Sequence, residues 1–147
     1  MNIIVKTLSF APGEHFRTSS SSIEFPEFIA TSAFFITNDA IHLTQLTAVE
    51  RPVLLTRQGV TIAVREIAIS LPDSLASATY PVGGESDVSF SMNVDGAISE
   101  AISGTVTLDP PLDGKLGGSF NVTVDINGRG DKNGIIKGDF KLKLPIR

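Results

Sequence analysis

Apolar and polar residues alternate with a period of two over most of the second half of the chain, the signature of half-buried β-strands. In Ser119–Ile126 the residues Phe120, Val122, Val124 and Ile126 share one face, and Ser119, Asn121, Thr123 and Asp125 share the other. In the stretch from Ile136 to Ile146, Ile136, Phe140, Leu142, Leu144 and Ile146 face one way, while Lys137, Asp139, Lys141 and Lys143 face the other. Val88, Phe90, Met92 and Val94 repeat the pattern and run into Asp95-Gly96, a two-residue hairpin signal. Val106 and Leu108 continue it. Extending that strand backwards puts Glu100 on the core face, so the pattern starts it near Ala101.

The first half is less regular. Residues 28–49 read as two strands around an Asn38-Asp39 turn, with Phe34, Phe35 and Ile36 consecutive and apolar on both faces. Residues 60–71 switch parity, from Val60, Ile62 and Val64 to Ile67, Ile69 and Leu71, which predicts a bulge or bend at Arg65-Glu66. Helical periodicity is nearly absent, and Thr18–Ser22 reads as a polar loop. The sum is an all-β, antiparallel β-sandwich or small barrel of nine or ten strands, one domain over residues 1–147, with the N-terminal strand returning beside later ones.

The order of short elements resembles a family of small, uncharacterised bacterial all-β domains often found in exported lipoproteins of Gram-negative bacteria. The elements are Ala78-Thr79-Tyr80, Ser103-Gly104-Thr105, Gly118-Ser119-Phe120 and Gly138-Asp139-Phe140. The resemblance spans roughly residues 28 to 144 and implies an antiparallel β-fold, with no activity attached. The lipobox cysteine of the lipoproteins is missing, and Ala78 stands where the family often has glycine.

Composition narrows the function classes. With 41% apolar and 19% charged residues the chain is too apolar for disorder. Its net charge of −4 argues against general nucleic-acid binding, which needs a basic field. That charge is uneven: residues 1–114 carry five basic and thirteen acidic side chains, and residues 115–147 carry seven and three. No cysteine is present, which removes disulfides and thiolate metal sites. No secretory signal pattern and no run long enough for a membrane helix is seen, so a soluble chain is expected, either cytoplasmic or exported with its signal removed.

Catalytic chemistry finds little to work with. His15 sits beside a turn, and His42 alternates with Ile41 and Leu43 in an expected strand; each reads as a surface or edge histidine. Gly84-Glu85-Ser86-Asp87-Val88 lacks the closing glycine of a nucleophile elbow. The acidic residues gather in turns, where aspartate is favoured locally. A calcium loop starting at Asp125 fails, because Arg129 and Ile136 occupy ligand positions. Arg129-Gly130-Asp131 spells an adhesion tripeptide, but between Asn127-Gly128 and Asn133-Gly134 it reads as a hairpin loop. Neither a cofactor nor a metal is called for, and no enzyme is expected.

Two groups remain as candidate partner-binding residues. With Ile126 set opposite Ile136, Lys137, Lys141 and Lys143 form a basic row on the solvent face, suited to docking an acidic partner or an anionic lipid surface or, the favoured reading, to solubility and edge protection. Phe34, Phe35 and Ile36 form either a central strand covered on both sides, the favoured reading, or an exposed patch. The expected function is a non-enzymatic binding or interaction module, using a sheet face for a protein partner or an internal pocket for a small apolar ligand. The alternative is an assembly protein that oligomerises through edge strands or the Phe34–Ile36 patch.

Overall fold

In a computed structural model the chain is an antiparallel β-protein. The structure describes residues 10, 13–20, 27–51, 53–56, 59–62, 64–128, 130 and 132–144; for 20, 53–56, 59–62 and 127 only the backbone is considered. Among the described residues eleven strands are formed: β1 (His15–Ser20), β2 (Ser32–Asn38), β3 (Leu43–Glu50), β4 (Val53–Thr56), β5 (Gly59–Ile62), β6 (Arg65–Pro72), β7 (Ala78–Pro81), β8 (Ser89–Val94), β9 (Ala97–Leu108), β10 (Lys115–Asp125) and β11 (Asn133–Lys143). The only helical element among the described residues is one 3-10 turn, Ile126–Gly128. Nine strands make one sheet in the order β1-β11-β10-β9-β8-β6-β3-β2, with β7 beside β9, and β4-β5 is a separate hairpin. The main sheet curls into a half-barrel.

The curl closes at one end. The segment entering β2 is bound on both sides: Ala30 N donates to Phe16 O, Thr18 N to Phe28 O, and Thr31 N to Val49 O. One short stretch therefore joins β1, at one end of the strand order, to β3, next to the other end. A buried ion pair holds it. Glu50 is 8% exposed; Arg65 Nε donates to Glu50 Oε1 at 2.7 Å, and Arg65 Nη2 reaches the same carboxylate. The other carboxylate oxygen accepts from Ile29 N at 2.7 Å, and Arg65 Nη2 donates to Glu27 O at 2.6 Å. A buried charge left unpaired is costly, so the pair is stable only while both partners and the segment stay in place.

The core is aromatic. Phe16 stacks on Phe120 and on Phe140 with centroids 5.5 Å apart in each case, and Phe90 lies 5.1 Å from Phe120. Phe28 meets Phe16 edge-on. Two glycines make room for these rings. Gly118 faces Phe140 and Phe120 faces Gly138 across β10 and β11. A Cβ on Gly118 would come within 2.5 Å of the Phe140 ring, and one on Gly138 within 2.4 Å of the Phe120 ring. The Gly-Ser-Phe and Gly-Asp-Phe elements are thus two halves of one reciprocal pairing.

Several expectations change. Val122, not Ile126, faces Ile136, so Asn121 lies opposite Lys137, Gly117 opposite Lys141 and Lys115 opposite Lys143. The register moved by four residues, and an even shift leaves every side chain on its expected face. The bend at Arg65-Glu66 is a break before β6: β5 pairs with β4, while β6 joins the main sheet. β9 begins at Ala97 rather than near Ala101. Glu100 still points outward, because a register shift between β9 and β10 flips the parity near Ile102. At that irregularity β9 changes neighbours, from β8 over residues 97–100 to β7 over residues 105–108. His42 is in the β2–β3 turn at φ 55°, not in a strand. Thr18 and its two neighbouring serines 19 and 20 are strand rather than loop. The Asp95-Gly96 turn is as expected, with both residues at positive φ.

Candidate functional site: the free sheet edge at β2

Sheet edges expose unpaired backbone donors and acceptors, and proteins blunt them by covering, shortness, charge or proline. Three strands of the main sheet end it, and they differ in this respect. β1 is covered: Arg17 bridges Ile29, and residues 28–30 hydrogen-bond along it. β7 has four residues, the last of them Pro81. β2 has seven residues, Ser-Ala-Phe-Phe-Ile-Thr-Asn, with no charge and no proline. Among the described residues, only β3 pairs with it.

The side chains on β2 follow from this position. Ala33 and Phe35 turn inward, where Phe35 packs against the core and faces Leu46. Phe34 and Ile36 turn outward and stay 46% and 53% exposed. They face Thr47 and Gln45 of β3. A central strand covered on both sides is therefore not what the run of three apolar residues makes. It is an end strand, with one side chain half-buried and two in solvent.

The lysine row is placed as expected on the outer face of β11, and the tertiary structure adds to it. Lys115 faces Lys143 across β10, and β1 contributes His15 and Arg17 opposite Lys141 and Asp139. Asp139 binds this group together: His15 Nε2 lies 2.6 Å from Asp139 Oδ2, and Arg17 Nε 3.5 Å from Oδ1. His15, Lys115, Asp139 and Lys141 border a depression of about 360 Å³ that Asp109 and Gly117 also line. Ser119 faces Asp139, so serine, carboxylate and imidazole are neighbours, but in that order. A nucleophile relay needs the imidazole in the middle. Here the carboxylate holds the centre, and the cluster works as a surface ion pair.

A second exposed apolar group, Ile98, Ile102 and Ile135, was not anticipated. Its signal was in the sequence: Ile98 and Ile102 share the parity of Glu100, and a charge in the middle of an apolar row marks it as outward. Five strands lie between β11 and β2 in the sheet order, while across the closure β1 alone stands between β11 and the segment that leads into β2. Arg129 and Asp131 lie outside the described residues; Gly130, at φ +73°, donates its N–H to Asp125 Oδ1 at 2.8 Å.

No family model matches the chain, and no curated protein or solved structure matches it either. No helix among the described residues is long and apolar enough to cross a membrane.

Proposed function

We propose that this protein is a non-enzymatic interaction module whose working surface is the free edge and outer face of β2. The observation that carries this reading is the contrast among the three ends of the main sheet. Two are blunted, and the third is long, uncharged and apolar on its exposed side. Such an edge is the ordinary substrate of β-strand addition, where backbone hydrogen bonds supply affinity and alternate side chains supply selectivity.

The packing of the interior favours a surface over a carrier pocket. Phe16, Phe28, Phe90, Phe120 and Phe140 occupy the space where a small apolar ligand would sit, and each is buried to within 3%. The Asp139-centred order of the outer cluster likewise favours binding over catalysis. The resemblance to bacterial all-β domains agrees with a module that acts by contact.

Photo-cross-linking in the cells that make the protein tests the reading. A benzoylphenylalanine at position 34 is expected to yield a discrete cross-linked adduct. The same group at Thr105, outward on β9, is expected to yield none. Equal adducts at both positions, or no adduct at position 34, would remove β2 as the working surface.

A further inference from the structure

We infer that the occupant of the β2 edge is β2 of a second copy of this chain, paired antiparallel about a two-fold axis at Phe35. The inference rests on the proposed role of that edge and names its partner.

Three features lead to it. First, β2 spans seven residues with Phe35 at the centre, so antiparallel pairing about that residue engages the whole strand. Second, that register is self-complementary on the outer face. Phe34 of each copy falls opposite Ile36 of the other, and the two pairs lie side by side across the axis. All four exposed apolar side chains are then covered by one another, which is the cross-strand pairing that stabilises sheets. On the inner side Ala33 falls opposite Thr37, so no bulky residue is set against another there apart from Phe35 against itself, and on the outer side Ser32 falls opposite Asn38. Third, nothing on β2 repels a copy of itself. A strand recognising a charged partner would carry the opposite charge, and one protected against self-association would carry lysine or proline. β2 carries neither, whereas β1 carries His15 and Arg17 and β7 ends in Pro81.

An isologous contact of this kind closes at two copies, because each β2 has one edge that no described strand pairs. The two half-barrels then share one continuous sheet. Open-ended growth is prevented at the other ends by the 28–30 segment along β1 and by Pro81 on β7.

The absence of cysteine makes the geometry directly testable. Only a residue on the axis meets its own copy, so the Phe35→Cys variant is expected to form a disulfide-linked dimer on mild oxidation. The Ile41→Cys variant, in the exposed β2–β3 turn, is expected to remain monomeric under the same conditions. Because Phe35 also packs inward, an Ala33→Cys/Thr37→Cys variant provides a second route, cross-linking through the 33-to-37 pairs with Phe35 intact. Sedimentation velocity of the wild-type protein is expected to show a concentration-dependent dimer. Ile36→Lys enters the interface twice and is expected to weaken it by roughly 30-fold with unchanged circular dichroism. A wild-type chain that sediments as a monomer at all concentrations overturns the self-pairing. So does cross-linking of Phe35→Cys no faster than Ile41→Cys together with none of the double variant. An adduct from position 34 to a different protein, with the purified chain monomeric, leaves the edge reading standing and removes only the second copy. Loss of both results removes both.

Discussion

Gly104 is the position where a single methyl group should do most damage. It lies in β9 at φ +122°, where the strand changes neighbours from β8 to β7. A Cβ there would come within 2.3 Å of Asn121 O and 2.6 Å of Val122 Cα. Both atoms are backbone of β10, itself held on its far side by β11, so neither can rotate away. Two costs add in Gly104→Ala. The positive φ, which L side chains avoid, costs about 1–3 kcal/mol. The overpacking costs about 1–3 kcal/mol more. Taking about 4 kcal/mol as the sum, the melting temperature of a domain this size should fall by roughly 8–16 °C. That is a large share of a typical stability of about 5–15 kcal/mol. The natural comparison is Gly117→Ala on the neighbouring strand. There the one tight neighbour of the new Cβ would be the Asp109 carboxylate, at 3.2 Å, a side chain that can swing aside, and Phe140 O at 3.7 Å is in ordinary contact. Loss of a flexible glycine should leave Gly117→Ala within about 1 kcal/mol of the wild type, in either direction. Urea unfolding followed by far-ultraviolet circular dichroism measures both. Equal midpoints for the two variants would refute the argument that Gly104 is dictated by contact with β10.

Two further outcomes follow from the same packing. Glu50→Ala leaves the Arg65 guanidinium without its carboxylate and frees Ile29 N, so it should lower stability by about 3–5 kcal/mol, read from the urea midpoint. Amide hydrogen exchange should rise first at Phe28, Ala30 and Thr31, whose bonds close the sheet, and uniform exchange across all strands would contradict that role. Tyr80→Phe removes the hydroxyl that donates to Ala76 O at 2.7 Å, four residues upstream, and should cost about 1 kcal/mol without altering the spectrum. A change below about 0.3 kcal/mol would mean that water replaces that bond at no cost.

The position of β2 shows how a local rule and a non-local one combine. Alternation makes Phe34 and Ile36 share one face with Phe35 on the other, and this is a property of any strand with that sequence. Whether the face is covered depends on what pairs beyond it. The run of three apolar residues fits a buried central strand equally well, and only the strand order placed β2 last. The lysine row is the reverse case. Lys137, Lys141 and Lys143 were legible as one outward row, and so they are, but their neighbours were not. Arg17 and His15 arrive from more than a hundred residues away, and Lys115 faces Lys143 only because the hairpin loop is shorter than Ile126–Ile136 pairing assumed, the strands pairing as far as Asp125 and Asn133.

What the amino-acid sequence determined by itself was the face of the side chains along the regular strands, β9 excepted, and the sites of the tight turns. Both depend on a few adjacent residues: the two-residue repeat of an extended chain, and the positive φ that Asp95-Gly96 can adopt. The glycine–phenylalanine elements on β10 and β11 were visible as motifs, but not as partners. Tertiary structure decided the register between those strands, the separation of β5 from β6, the parity change in β9 and the identity of the free edge. These depend on which strand lies alongside which. A shift by two or four residues leaves the hydrophobic pattern intact, so the pattern cannot choose among such pairings. The choice falls to contacts made across the sheet: a ring over a glycine, an arginine inside a closing segment, a backbone too close for a methyl group.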